Sequence, residues 1–395
     1  MNDAARIYHD ATKHSFESVR NGAHYLDWSI EPSRFKRYEN VPSVALEGNK
    51  YGDFLYLIAG VTAYKRYPGA EYALRNVPSA GALYPNELYL QVRGVDGRCD
   101  GIYHYGAREN RLYLLKELSE NEGLEPFFAL KKLFKGFLFL VSGLYYRSSW
   151  KYKERAFRYV LLDGGHILGS MEQACKVSGE SFEALFDIEL DGLNRAFSFG
   201  EEEFFISGAL CGKETDEEIS KKVSVVNNAD VEDKFSRYKE IEDVYSATTR
   251  LEGCAKNLSG FSMMLERDRL KLAVLKRRSI RGFNRGFIAR HIYDFIFRFV
   301  NEPFCSDCDT KIDIFSVVFG VEGLKSGIYK NGNLVKEGEF RKKCAYLCLE
   351  QALGGDSAFT VFLGGELKNY RATYQKCGLI GHRFYTASTY SNIGC

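Results

Sequence analysis

Pro78-Ser79-Ala80-Gly81-Ala82-Leu83-Tyr84-Pro85 runs directly into Glu87-Leu88-Tyr89-Leu90-Gln91-Val92-Arg93. The second segment alternates in the manner of a strand with one buried face. The first is a loop of small residues headed by a proline, and Gly81 removes the Cβ that would keep backbone away from a flat ligand. Ser79 adds a donor and an acceptor. A tight loop feeding a strand accounts for the same composition, so the meaning of the segment depends on what surrounds it.

Reading outward from this loop, the chain repeats itself. Val92-Arg-Gly-Val precedes Gly101-Ile-Tyr103, and Val321-Glu-Gly-Leu precedes Gly327-Ile-Tyr329. Arg158 lies seven residues before Gly165, and Arg371 lies seven before Gly378. Two matches in the same order make duplication the better explanation than chance. In the first copy, a helix over 51–64 is followed by strands over 87–93, 101–105, 111–115 and 136–142, then a helix over 154–177. The second copy begins near Asp268, with a helix over 289–300, a strand over 312–321 and a hairpin. A helix over 344–353, a strand over 359–363 and a helix over 368–389 follow. Mixed helices and antiparallel strands predict an α+β fold. The expected organisation is a first copy over 1–212, a charged, turn-rich connector over 213–267, and a second copy over 268–395.

Bulk composition narrows the function. Of 395 residues 45% are hydrophobic, enough for a large core, and the formal charge is only +2 with no dense Lys/Arg block. Nucleic acid is therefore not expected as a partner. The start of the chain has no apolar signal-peptide core, and runs such as Phe137 to Val141 are too short to cross a bilayer. A cytoplasmic protein without a membrane partner is expected. The ten cysteines suit a reducing compartment as unpaired thiols. Cys305-Ser-Asp-Cys308 is a lone pair, distant from Cys344 and Cys348, and no metal site is expected.

Lys276-Arg277-Arg278-Ser279-Ile280-Arg281-Gly282-Phe283 concentrates guanidiniums, whose forks suit a phosphate; a basic solvated face is the alternative. Taken together with the loop, it gains meaning. Arg277-Arg278-Ser279-x-Arg281 followed by Phe283 resembles the FMN-binding signature of nitroreductases. The octapeptide 78–85 resembles the flavin loop of their SagB/ThcOx-type branch, which includes azoline dehydrogenases. Further matches are Tyr8-His9, Leu26-Asp27-Trp28, Phe35-Lys36-Arg37-Tyr38, Leu162-Asp163-Gly164-Gly165-His166 and Gly378-Leu-Ile-Gly-His382, so the resemblance spans nearly the whole chain.

The resemblance implies two tandem nitroreductase-like α+β lobes forming a pseudo-dimer within one chain, with monomer as one expected state. It implies FMN as cofactor, with hydride passing to or from flavin N5. Arg277, Arg278, Ser279 and Arg281 would hold phosphate and ring edge from one side. Pro78, Ser79, Ala80 and Gly81 would cover the ring from the other, at the interface of the two copies. The second copy has Cys305 to Lys311 where a Pro-Ser loop is due, so the reciprocal site is expected to be vestigial. Lys151-Tyr152 resembles the Lys-Tyr pair of azoline dehydrogenases, in which a base removes a proton next to the ring nitrogen of a thiazoline or oxazoline. As a base, Lys151 requires a lowered pKa from burial or from neighbours such as Lys153 and Arg155; an exposed helix start is the alternative reading. Tyr84, Tyr145, Tyr146 and Trp150 are candidates for pocket walls or for core. The second copy stops at Ser391-Asn392-Ile393-Gly394-Cys395, where the family continues toward flavin N5, so phosphate neutralisation is expected to rest on the three arginines. The substrate implied is a small molecule or a modified peptide. A nitro- or quinone reductase using NAD(P)H and a non-catalytic flavin-fold subunit are the competing functions.

Overall fold

The computed structural model describes residues 3–15, 17–18, 26–227 and 236–395. Its strands in chain order are β1 (Ser43–Ala45), β2 (Val61–Tyr67), β3 (Ala70–Arg75), β4 (Asn86–Arg93), β5 (Gly101–Gly106), β6 (Arg111–Glu117), β7 (Glu122–Gly123) and β8 (Lys132–Leu144). After these come β9 (Glu183–Leu185), β10 (Glu203–Glu218), β11 (Lys221–Lys222), β12 (Ile312–Val318), β13 (Gly327–Lys330), β14 (Asn333–Glu337) and β15 (Phe359–Gly365).

Seven strands form an antiparallel sheet in the order β1-β6-β5-β4-β8-β10-β9, and four form a second in the order β14-β13-β12-β15. At the middle of the first sheet, β8 carries Phe137-Leu138-Phe139-Leu140-Val141, all buried. A strand covered on both faces reads as such a continuous apolar run. The helix Ala156–Ser178 packs on this sheet and ends where Gly179 takes a left-handed φ of 77° and returns its N–H to Cys175 O. The helix Tyr370–Tyr390 belongs to the second sheet.

The two helices cross at small residues, and the crossing is reciprocal. A Cβ on Gly165 would stand 2.0 Å from Gln375 O, and one on Gly378 would stand 2.1 Å from Leu162 O. Each residue on one helix has its counterpart 213 positions later on the other, so residue i meets j as j meets i. That exchange is the mark of a two-fold interface, here made within one chain. The chain is thus an α+β protein of two tandem lobes joined through their central helices.

Several elements differ from the sequence-based expectation. The helix expected over 51–64 stops at Ala59, and Val61–Arg75 form the β2–β3 hairpin instead. Pro68-Gly69 makes the turn, with Gly69 at φ 81°, where a side chain would be strained. The helix expected over 344–353 is two short ones, Arg341–Leu347 and Leu353–Asp356. The charged 213–267 stretch contains the helix Lys239–Ala247, whose Tyr245 stacks on Phe204 at 4.0 Å between ring centroids in the first core. Residues 228–235 of that stretch, like 19–25 of the polar opening segment, lie outside the described residues. Cys254 and Cys308 form a disulfide, against the expectation of unpaired thiols: the chain fold brings together two cysteines far apart in sequence. Among the described residues no helix is long and apolar enough to cross a membrane, and no group of three His, Cys, Asp or Glu side chains is placed to hold a metal ion.

Candidate functional site

The loop at 78–85 is anchored by a buried polar network. Strand β4 buries all its residues, charged ones included, and a buried charge needs partners. Glu87 receives Arg147 at 2.6 Å and His104 at 3.1 Å, with Arg75 at 3.7 Å. Burial pushes its carboxyl up, but Arg147 and Arg75 outweigh this and hold it below the usual carboxylate range. The same two arginines reach the loop. Arg147 Nη1 donates to Tyr84 O at 2.9 Å, and Arg75 N donates to Tyr84 Oη at 3.1 Å.

Inside the loop, Gly81, Ala82 and Tyr84 all have positive φ, at 67°, 55° and 48°. For the two non-glycine residues this conformation costs about 1–2 kcal/mol each, so it persists only where surroundings impose it. Asp163 on the central helix imposes it. Ser79 Oγ donates to Asp163 Oδ2 at 2.6 Å, and Ala80 N donates to both carboxylate oxygens at 3.2 Å. Ser79 Oγ in turn accepts Tyr84 N at 2.9 Å. Desolvation pushes the Asp163 carboxyl up to about 7, against the lowering effect of Ser79 and Ala80. Tyr152 lies against the opposite side of the loop: a Cβ on Gly81 would be 3.0 Å from its hydroxyl.

The second lobe delivers its arginines to the same place by two staples. Arg277, buried, donates from Nε to Asn76 O, two residues before the loop. Arg278 donates to Thr62 O at 2.6 Å and to Arg277 O at 2.6 Å. Beyond them, Ser279 Oγ bonds Tyr385 Oη at 3.1 Å. The exposed guanidinium of Arg281 makes no hydrogen bond or ion pair with a described residue.

Between the two lobes lies a cavity of about 600 Å³. Pro78, Ser79, Ala80, Gly81, Lys151 and Tyr152 line it from the first lobe, Ser279 and Arg281 from the second. The loop and the arginine segment therefore face each other across one cleft. Arg277 and Arg278 do not line it: Arg277 is engaged with Asn76 O and the Ser279 hydroxyl and Arg278 with backbone carbonyls, so of the three arginines Arg281 is the one that faces the cavity without a bonded partner among the described residues. Lys151 is half-buried at the cavity wall with its Nζ 5.7 Å from the Tyr152 ring centre. Burial pushes the Tyr152 hydroxyl up to about 12, so it stays protonated at neutral pH. His166, also in the lining, is held neutral by burial and by Arg277, its pKa lowered to about 3. Tyr84, Tyr145 and Tyr146 are core residues, while Trp150 lines a neighbouring cleft.

Sequence reasoning missed Asp163 as a site residue. The available signal was an ionisable residue inside an apolar helical run, Val160-Leu161-Leu162-Asp163, a placement that burial makes costly without a function for it. Its counterpart 213 positions later is Lys376. That lysine donates to Cys308 O and, at 3.2 Å, to Thr310 O. Where a carboxylate organises the Ser79 hydroxyl and the Ala80 N–H in the first lobe, a lysine organises carbonyls in the second.

The cavity fits FMN on three observations of the chain itself. Its volume lies within the roughly 300–1,000 Å³ of small-molecule sites. One wall is backbone approached through Gly81, and a free guanidinium with a serine hydroxyl stands opposite.

Two crossed lobes with a cleft at their seam define the class: the chain has the nitroreductase-like α+β fold. The structure of a "putative nitroreductase" from Anabaena variabilis matches it with a TM-score of 0.80 over 99% of this chain and 92% of that one, at 23% identity. No family model matches the chain. The trifolitoxin-processing protein TfxB of Rhizobium leguminosarum bv. trifolii is 30% identical over 145 residues, covering 34% of this chain and 38% of that protein. The "putative nitroreductase MJ1384" of Methanocaldococcus jannaschii is 37% identical over 101 residues, covering 25% of this chain and 50% of that protein. The chain thus spans half or less of the length of the curated relatives it matches.

Proposed function

We propose that this chain is an FMN-dependent oxidoreductase with one composite cofactor site, and that it dehydrogenates an azoline ring in a modified peptide. The observation that carries the reading is the cavity in which Pro78 to Gly81 of one lobe meets Ser279 and Arg281 of the other. Arg281 and Ser279 would hold the phosphate, and the 78–81 backbone would cover the ring. When bound, the flavin would supply a two-electron acceptor. Lys151 is the base, taking a proton from the substrate carbon beside the ring nitrogen. Tyr152, protonated at neutral pH, donates a hydrogen bond at the same wall. Asp163, in the lining of the same cavity, holds the loop through Ser79 and Ala80. Similarity to a protein named for trifolitoxin processing favours a role in maturing another molecule.

The visible absorption spectrum of the purified protein tests this. The expected result is a flavin band that an azoline-containing peptide bleaches without oxygen and that air restores. Similarity to a protein named as a nitroreductase favours a second reading, an NAD(P)H-dependent nitro- or quinone reductase, and rapid bleaching by NADPH alone would select it. A colourless protein that takes up no added FMN overturns both in favour of a non-catalytic subunit.

A further inference from the structure

A second cleft opens beside the cofactor cavity, with a volume of about 470 Å³. Gly81 and Lys151 line both, so a molecule seated in the second cleft reaches the wall where Lys151 stands. One side is the face of the β2–β3 hairpin that carries Lys65 and Tyr67 with Tyr72, which pairs with Lys65 across the strands. The other side is Trp28 and Trp150, their rings 5.2 Å apart and edge-on. Trp150 Nε1 donates to Asp27 O at 3.0 Å, which fixes that wall. Trp28 is 59% exposed and Tyr67 57%. Exposed large aromatics gathered on facing walls mark a surface that something covers.

The charges decide what kind of molecule. Arg34 is not available: it pairs with Glu31 and lies over the Tyr72 ring at 4.1 Å. Lys65 makes no hydrogen bond or ion pair with a described residue, and neither does Lys151. The cleft therefore offers aromatic walls and the ammonium of Lys65, set apart from the Lys151 base. A pyrophosphate is usually gripped by free arginine forks, and Arg34, the arginine in the lining of this cleft, is paired. A single ammonium between aromatic walls suits carboxylates interleaved with apolar side chains.

We propose that this cleft binds the substrate polypeptide beside its reacting residue, selecting a segment in which acidic and aromatic residues alternate. The proposal rests on the oxidoreductase reading for its direction, since the bound segment leads toward Lys151. Lys65 meets a carboxylate of the segment, and Trp28 and Tyr67 flank its rings.

The two tryptophans of the chain both line this cleft, so their emission reports its occupancy directly. The experiment titrates the purified full chain with N-acetyl-Asp-Phe-Glu-Phe-amide, with the Asn/Gln counterpart of that peptide, and with NADPH. The expected result is a saturable change in tryptophan emission with the acidic peptide. Its binding should weaken by at least about threefold in Lys65→Glu, in the neutral peptide, and on raising salt, the range open to one exposed ion pair. Lys65 is exposed, so the substitution leaves the fold intact. Equal binding by Lys65→Glu, or no response to the acidic peptide, overturns the proposal. So does tighter, Lys65-dependent binding of NADPH, which would assign the cleft to a nucleotide. The flavin band of the same sample is read separately. A yellow protein without peptide binding defeats this inference alone, and a colourless one that binds the peptide defeats the oxidoreductase reading alone.

Discussion

Replacing Asp163 by asparagine tests whether a buried carboxylate shapes the 78–85 loop. The carboxyl is fully buried and its pKa stands at about 7 against an ordinary value of 3.8. Between about pH 4 and 7 the unfolded chain has therefore lost a proton that the folded chain still holds. Stability then falls as pH rises through that window, and the loss is complete above about 7. At about 1.4 kcal/mol per tenfold, the full loss is about 4 kcal/mol. The amide in Asp163→Asn keeps the shape and one acceptor but carries no charge, so the variant lacks this slope. Urea unfolding of both proteins from pH 5 to 8 is the assay. From pH 5 to pH 8 wild type should lose about 2–3 kcal/mol relative to Asp163→Asn, whose flavin content should be lower because Ser79 and Ala80 lose an acceptor. Parallel stability curves for the two proteins would refute the argument.

Other substitutions read out the same geometry. Arg281→Ala should weaken FMN binding by about 10- to 100-fold, the worth of one charge-assisted hydrogen bond, measured by flavin fluorescence titration. Arg278→Ala should instead cost about 2 kcal/mol of stability, seen in urea unfolding, because its fork is spent on Thr62 O. Gly165→Ala places a Cβ 2.0 Å from Gln375 O and should destabilise the chain by about 3 kcal/mol, measured in the same way. Lys151→Ala should lower azoline turnover by at least about a hundredfold while the flavin spectrum stays unchanged; equal losses of flavin and turnover would remove Lys151 from the chemistry.

Much of the fold is legible because its signals are local. The apolar run at 136–142 and the long helical pattern before Gly179 each report the burial of their own segment, whereas the alternation at 87–93 predicts one buried face and β4 is buried on both, its charged residues held by the network around Glu87. The repeat was visible in Arg158/Gly165 and Arg371/Gly378, and the structure shows why such pairs persist: each glycine is where the other helix crosses. The β2–β3 hairpin was misread, although Pro68-Gly69 between two strand-like segments is a turn signal. Tyr56 to Tyr64 also fits a helical pattern, which hid it.

The sequence by itself determined most of the elements, their duplication, and the loop and arginine segment that meet at the seam. Those properties depend on neighbours along the chain. Which arginine stays free depended on the tertiary structure, because backbone carbonyls of Asn76 and Thr62 capture Arg277 and Arg278 from some 200 residues away. The same holds for Asp163, whose carboxyl is raised by burial that only packing creates. It holds also for the aromatic cleft, whose walls come from three separate segments. Desolvation and long-range hydrogen bonding act between residues that the chain brings together only when folded, and no local pattern records them.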